Sequence, residues 1–482
     1  MKKFILFSII LAMTGLLGQS IQTKTFKLAD ELDDQPYSSS LKGYGIIDLL
    51  VKDTLLWAAS GYALNKTNDD GSNWQIYTTE QHKSKGGVAA MAYMDAQTLW
   101  ISTAFDTSAS GEDLSAGGGL SYTRDNGATW THIPQPVDSV NEERYSPTTT
   151  AIQNIVYDIA FIDSTIWIAS YGAGLRRSDD MGKTWQVVTT DGNPFNPLNS
   201  VYGLNHRAFS LLAENGNLWV GTAQGISRSP DNGQSWERFT STNQEKHISG
   251  NFVVALAYQA YNNTIWAATI EATDTSEVRA VSKTTNGGQT WQVMLEGNFA
   301  HNFGFDGPRI YVAADEGLYV SDDAGNNWYE MGDIQSEESR EELFFQEYYS
   351  AAVQDLNIEK RLWIGTSRGL ALTKNNGNTW SIIPAFVSDK PKDINKVYAY
   401  PSPFTPRIDG YCQFQIDRLN AERIKIQIFD FSMDKVKTIP IDNFRPKWDG
   451  TNDSGDVVAN GIYFFRSEVD GKVSWGKIVI IN

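Results

Sequence analysis

Ser178-Asp179-Asp180-Met181-Gly182-Lys183-Thr184-Trp185 is the stretch that decides the fold. It holds a hydroxyl residue, an Asp two positions on, a Gly two further and a Trp three further. The same spacing returns at Thr67, Asp69, Gly71, Trp74; Thr123, Asp125, Gly127, Trp130; Ser229, Asp231, Gly233, Trp236; Thr284, Asn286, Gly288, Trp291; Ser321, Asp323, Gly325, Trp328; and Thr373, Asn375, Gly377, Trp380. Seven copies with unbroken spacing are an internal repeat. Upstream of each lies an apolar segment carrying an aromatic: Leu56-Trp57-Ala58, Leu99-Trp100-Ile101, Ile166-Trp167-Ile168, Leu218-Trp219-Val220, Ile265-Trp266-Ala267, Ile310-Tyr311-Val312 and Leu362-Trp363-Ile364.

The motif has the chemistry of a hairpin corner, in which Asp or Asn accepts backbone N–H bonds and Gly supplies a positive φ. Each repeat reads as four strands: an inner apolar strand such as Ile155 to Phe161, the Trp strand, a strand ending at the corner, and an outer strand starting at the corner Trp. Units of roughly 40 to 50 residues, repeated seven times, predict a seven-bladed β-propeller. An open solenoid is the alternative, but neither end carries the atypical polar repeat that caps one. The corner Trp residues are expected to pack as large buried side chains between blades, so that Trp236→Ala would cost about 3–5 kcal/mol.

Over residues 41 to 385 the motif resembles the Asp-box, or bacterial neuraminidase repeat, of sialidases, sortilin-type receptors, xyloglucanases and photosystem II assembly factor propellers. The resemblance implies that Asp69, Asp125, Asp180, Asp231, Asn286, Asp323 and Asn375 are structural corners away from the binding centre.

Loop lengths separate the two faces of such a ring. Connections between the first and second strands, and the seven corners, are short. The opposite face takes every long insertion: Thr103 to Gly118, Ile270 to Glu277, Thr131 to Asn154, Thr189 to Arg207, Thr240 to Asn251 and Tyr329 to Tyr349. Long loops on a rigid scaffold are where binding resides. Residues leading into the inner strands should ring the channel there: Tyr44, Lys85, Asn154, His206, Arg207, Asn251, His301, Asn302, Tyr348 and Tyr349, with Glu347 beside them. Asp106, Glu112, Asp113, Glu143, Tyr145 and Glu271 lie nearby in sequence. This mixture suits a polar ligand such as a glycan or a protein surface. Glu337 to Glu347 reads as a short acidic helix or a solvated loop.

A sialidase needs an arginine cluster, a Tyr nucleophile activated by Glu, and an acidic proton donor. Arg144, Arg207, Arg368, Tyr145, Tyr349 and Glu347 could be assembled into one, but the Arg-Ile-Pro signature of that family is absent. The Arg-Ile pairs at Arg309, Arg407 and Arg423 continue with Tyr, Asp and Lys. Xyloglucanases pair two propellers around a cleft, and one is present. Serine and cysteine triads, phosphate loops and zinc spacings are missing, so no metal or cofactor is expected. A non-catalytic binding or assembly module is the favoured reading, with a glycoside hydrolase as the alternative.

The chain changes character after Phe386. Alternating strands at Ile424 to Phe429 and Ile462 to Ser467, with Gly turns between, predict a small immunoglobulin-like β-sandwich. Tyr400-Pro401-Ser402-Pro403-Phe404, Trp448-Asp449-Gly450-Thr451-Asn452-Asp453-Ser454-Gly455 and Gly461-Ile462-Tyr463 occur in order. They resemble the type A C-terminal sorting domain of type IX secretion, related to the flagellar hook-capping protein, with Ser402 where Asn is usual. That resemblance implies the type IX machinery as a partner.

At the other end, Lys2 and Lys3 precede an apolar run, Phe4 to Leu17, and then small residues, the pattern of a cleaved secretory signal. The run is short of the roughly 20 residues that a spanning helix needs. The expected organisation is therefore a signal at 1–20, a linker at 21–40, the propeller at 41–388, a linker at 389–396 and the sandwich at 397–482, in an extracellular or cell-surface protein. The 482 residues hold 40 Lys+Arg against 57 Asp+Glu, a net charge of -17. That excludes a nucleic-acid binder working through bulk positive charge. The single Cys rules out a disulfide scaffold, and 15 Trp with 40 Gly suit aromatic strands joined by tight turns.

Overall fold

A computed structural model describes residues 37–38, 41–43, 45–109, 112–137, 150–190, 205, 207–243, 245–272, 276–332, 334–335, 342–343, 347–357, 359–385, 397–400, 402–416, 424–439, 446–469 and 471–481. Residue contacts divide the chain into two units: Met1–Gly332 with Gln346–Phe386, and Asp333–Phe345 with Val387–Asn482.

The first unit is a seven-bladed propeller of consecutive antiparallel sheets, each of four strands in sequence order. The inner strands are Ile46–Lys52, Gly87–Tyr93, Val156–Ile162, Ala208–Glu214, Phe252–Gln259, Ala300–Asp306 and Tyr348–Asp355. Blade 1 gains a fifth strand, Tyr37–Ser38, on its outer edge. Among the described residues, no strand is exchanged between the last blade and the first. The ring closes through side chains: Gln354 Nε2 donates to the Asp53 carbonyl at 2.7 Å and Lys374 Nζ meets Asp70 at 2.6 Å.

The corners repeat bond for bond. In each, the hydroxyl oxygen donates to the Asp or Asn oxygen and accepts the Gly N–H, while that same Asp or Asn oxygen accepts the N–H four residues on. In the third blade these are Ser178 to Asp180 at 2.8 Å, Gly182 N to Ser178 at 2.9 Å and Thr184 N to Asp180 at 2.9 Å. The corner glycines sit at φ between +79° and +94°, where a Cβ is strained, and a Cβ would also overlap the preceding blade. At Gly182 the obstacle is Ile133, at Gly233 Trp167 and at Gly325 Trp266.

Aromatics seal the blades. Trp57, Trp100, Trp167, Trp219, Trp266 and Trp363 of the second strands are 0–3% exposed. Corner Trp residues meet them edge-on from the next blade: Trp236 on Trp167 at 6.4 Å, Trp291 on Trp219 at 6.4 Å and Trp328 on Trp266 at 6.1 Å. The expected position between blades holds, but the expected burial does not hold for every copy. Trp74, Trp291 and Trp380 are buried, whereas Trp130, Trp185, Trp236 and Trp328 are only half-buried. A corner lies at the rim of the sheet, where one ring face meets water, so the cost of Trp236→Ala falls below the range for a fully buried ring. In four blades the basic residue before the corner crosses its own Trp ring to the next corner, as with Lys283 Nζ, 5.3 Å from the Trp266 ring and 2.7 Å from the Ala324 carbonyl.

The second unit contains a sandwich of a three-stranded sheet, Val397–Tyr400, Cys412–Ile416 and Lys447–Trp448, and a four-stranded sheet, Lys435–Ile439, Ile424–Phe429, Gly461–Val469 and Lys472–Ile480. Its core includes Phe404, Phe414, Ile426, Trp448 and Phe465, with the thiol of Cys412 buried among them. The Trp448 indole donates to the Thr451 carbonyl at 2.8 Å, closing the Gly-rich turn. Within 337–347 the structure has a short ladder, Glu342–Leu343 against Ile334–Gln335, where a helix was one of two expectations.

Candidate functional site

Every inner strand carries a register slip at the same point. In blade 1, Ile46 faces Ser60 and Asp48 faces Ala59, leaving Ile47 without an opposite residue. The corresponding extra residues are Ala89, Tyr157, Phe209, Val254, His301 and Tyr349. A bulge turns one side chain out of the alternation and twists the strand. The result is a ring: all seven extra residues line one cavity of about 180 Å³ at the leading ends of the inner strands, together with Asp48, Asp158, Ser210, Phe252, Phe299 and Asn302.

This is the face that takes the long insertions. The cavity wall is aromatic from blade 3 round to blade 7. Phe209 stacks on Phe252 at 4.3 Å, Tyr157 lies 5.7 Å from Phe209, and the ring of His301 stands at 88° to that of Tyr349, 5.5 Å away. His301 Nε2 pairs with Asp315 at 2.5 Å, and the Tyr349 hydroxyl donates to Glu347. Burial first, and then the Glu347 carboxylate, hold the Tyr349 phenol well above its ordinary range, so it rests as a neutral donor. Burial likewise raises Tyr157. Asp158 accepts Ile159 N–H at 2.8 Å and, from the neighbouring blade, Leu211 N–H at 2.7 Å. Asp48 accepts Leu49 N–H at 2.9 Å.

Of the residues expected to ring the channel, His301, Asn302 and Tyr349 line the cavity, and Glu347 touches it through Tyr349. Asn154 and Asn251 hold loops instead. Asn154 is fully buried and donates to the Pro136 and Thr150 carbonyls at 2.9 and 3.2 Å. Asn251 donates to Ser241 at 2.8 Å and to the buried Glu277 carboxylate at 2.6 Å. Lys85 is exposed with its ammonium 3.8 Å from the centre of the Phe105 ring. Arg207 lies over Tyr171 at 4.8 Å, one ring removed from Phe209. Tyr348 is buried behind Tyr349 in the same strand. Tyr44, His206, Glu143, Arg144 and Tyr145 lie outside the described residues. The insertion at Thr103 to Gly118 is a ribbon, strand Leu99–Ala109 paired with Glu112–Thr123, in which Asp106 accepts the Ser115 hydroxyl at 3.0 Å. Glu271 pairs with Arg279.

The sequence reading missed Ile47, Asp48, Ala89, Tyr157, Asp158, Phe209, Val254 and Phe299, because it placed the ring at the strand starts rather than at the bulge. A signal existed: at Ile46-Ile47-Asp48, Val156-Tyr157-Asp158 and Ala208-Phe209-Ser210, two apolar residues stand where strict alternation allows one. Among the described residues, no cluster of three His, Cys, Asp or Glu could hold a metal ion. None of their helices is long and apolar enough to cross a membrane.

No protein-family model and no curated protein matches the chain. Solved structures that resemble it include an ancestral GH74 enzyme, at a TM-score of 0.53 and 14% identity over 93% of this chain and 64% of that one. GH74 of Niastella koreensis has a TM-score of 0.51 and 12% identity, over 92% and 67% of the two chains. PorZ, a surface component of the type-IX secretion system of Porphyromonas gingivalis, has a TM-score of 0.45 and 15% identity over 94% of this chain, which spans 61% of PorZ. At such identities the likeness is one of fold alone.

Proposed function

We propose that this chain is an exported, non-catalytic recognition propeller that takes its ligand at the bulge-ringed mouth of the channel. The observation that carries the reading is the ring itself. Seven strands of different sequence share one backbone irregularity, and among the described residues it brings seven side chains to a single cavity. The corners, read as Asp-boxes, hold the ring rigid and lie at the rims of the sheets. The C-terminal sandwich, read as a type IX sorting domain, would deliver the propeller to the cell surface or medium. Its Gly-rich turn and Tyr463 strand support that reading.

The glycoside hydrolase alternative rests on the Tyr349–Glu347 hydrogen bond and on two carboxylates, Asp48 and Asp158, in one cavity. One experiment separates the readings: the full chain and Val254→Trp, which fills the cavity, are screened on glycan and peptide arrays and for turnover of sialosides and β-glucans. Binding without turnover, lost in Val254→Trp, is expected. Turnover abolished by Glu347→Gln would replace recognition with catalysis. In the native host, deletion of residues 397–482 should strand the propeller in the periplasm, and unchanged surface or medium levels would remove the sorting reading.

A further inference from the structure

The sixth blade departs from the other six at the seam it shares with the seventh. Its second strand carries Tyr311 where the others carry Trp. Across from that ring stands Val320, in the place where Lys66, Arg177, Arg228 and Lys283 pair with the Trp of their own blades. Those four cations reach a carbonyl of the next corner, at Asn126, Asn232, Gly287 and Ala324, over 2.6–3.3 Å. Val320 has no group to make that bridge, and Asn376, the matching corner residue of blade 7, lines an open cleft of about 640 Å³. Blades 2 and 7 also lack the cation, but in the one Tyr122 stacks on Trp100 at 4.8 Å, and in the other Lys374 clasps Asp70. The cleft lies at the trailing ends of the inner strands, Asp306 and Asp355, on the face opposite the channel mouth.

We infer that this cleft binds a neutral saccharide, independently of what the channel recognises. Among the described side chains of the propeller, only two Tyr, Phe or Trp are exposed, Tyr261 at 63% and Tyr329 at 47%, and both stand at the cleft. A Cβ on Gly307, in the cleft wall, would lie 4.0 Å from Tyr261, and the Tyr329 hydroxyl donates to Asp322 at 3.3 Å. An exposed tyrosine ring offers the C–H face of a sugar an apolar platform at little cost in ordering. The charged groups of the wall are already matched: Arg309 with Asp322, and Lys360 with Asp306 and, at 3.7 Å, with Asp355. A carboxylate accepts about four hydrogen bonds, an ammonium donates three and a guanidinium five, so each pair has capacity beyond its own contact. A sugar hydroxyl can donate to one member and accept from the other with the pair intact. A strongly charged ligand would meet a like charge beside every opposite one. The volume of the cleft falls within the roughly 300–1,000 Å³ of small-molecule sites.

The test is calorimetric titration of the full chain with maltotriose, laminaritriose and mannotriose, each beside its soluble polymer, glycogen, laminarin and mannan. Trigalacturonic acid and fully deacetylated chitotriose serve as the anionic and cationic counterparts. At least one neutral trisaccharide is expected to bind about tenfold or more tightly than either charged one. Tyr261→Ala should weaken that binding about fivefold with its melting temperature unchanged, and Asp306→Asn should weaken it about tenfold. A polymer that binds as tightly per site as its trimer assigns the sugar to a glycan chain, and a trimer that binds alone assigns it to a free sugar. Charged trisaccharides that bind as tightly as neutral ones, no neutral sugar bound, or binding unchanged in Tyr261→Ala and Asp306→Asn would overturn the inference. So would binding lost in Val254→Trp but kept in Tyr261→Ala, which moves the sugar to the channel. Peptide binding lost in Tyr261→Ala, with no sugar bound, would also overturn it by giving the cleft to a protein partner.

Discussion

The outer corners and the inner bulges of this propeller are both sevenfold, and they repeat in opposite ways. At the corners residue type and backbone recur together: a hydroxyl, an Asp or Asn, a Gly at φ near +80° to +94°, a Trp. At the bulges only the backbone recurs, while the side chains run Ile47, Ala89, Tyr157, Phe209, Val254, His301, Tyr349. A corner must satisfy the same N–H groups in every blade, so its chemistry has one solution. A bulge has only to turn a side chain inward, and what that side chain carries is free to vary. Substitutions at the corners and blade seams should therefore cost stability, and those in the channel should cost binding.

The largest effect is expected where the seam is driest. Trp167→Ala should lose about 3–5 kcal/mol in urea unfolding, since its ring is fully buried, and Trp236→Ala less, since that ring is half-buried. Equal losses would break the distinction between second-strand and corner aromatics. Gly325→Ala should come next, at about 2 kcal/mol or more, from a positive φ and overlap with Trp266. An unchanged melting temperature would show that the corner needs no glycine.

A third effect depends on pH. His82, between blades 1 and 2, is fully buried, and its ring nitrogens have no hydrogen-bond partner among the described residues, so burial lowers its pKa to about 3. A depressed histidine is neutral in the fold and titrates near 6.5 when unfolded. Stability is therefore full above pH 6.5 and declines as the pH falls toward 3, by about 2 kcal/mol at pH 5. In His82→Leu that part of the slope should vanish; an unchanged slope would place the titration elsewhere.

Below that window the corners take over. Hydrogen bonds, chiefly from Thr184, from Ser235 and from Asn327, hold Asp180, Asp231 and Asp323 at about 2. Their contribution is present above the ordinary carboxylate range and is lost as the pH falls through 2, whereas Asn286 and Asn375 cannot titrate. Asp231→Asn should thus flatten the acid limb slightly. The smallest change in stability is expected for Val254→Trp in the channel mouth; a loss as large as that of Trp167→Ala would mean that the mouth is core rather than site.

The propeller was legible because its seam and corner chemistry is local: a fixed spacing of four residue types announces each blade. The sandwich was legible for the same reason, in its alternating strands and the turn from Trp448 to Gly455. The channel was legible only in part. His301, Asn302 and Tyr349 stand near the strand starts and line the cavity, with Glu347 bonded to Tyr349, whereas Asn154 and Asn251 share that position and face their own loops. Whether a polar residue at a strand start points to the channel or to its loop depends on partners far along the chain, such as Glu277 for Asn251.

By itself, then, the sequence determined the number of blades, the order of the two folds and the rim position of the corners, since each follows from short-range hydrogen bonding and turn geometry. Tertiary structure alone decided what fills the centre of the ring. A bulge is a mismatch between two strands and is invisible in either one alone. Seven of them converge on one cavity only after the ring has closed and brought Tyr349 of the last blade round to Ile47 of the first.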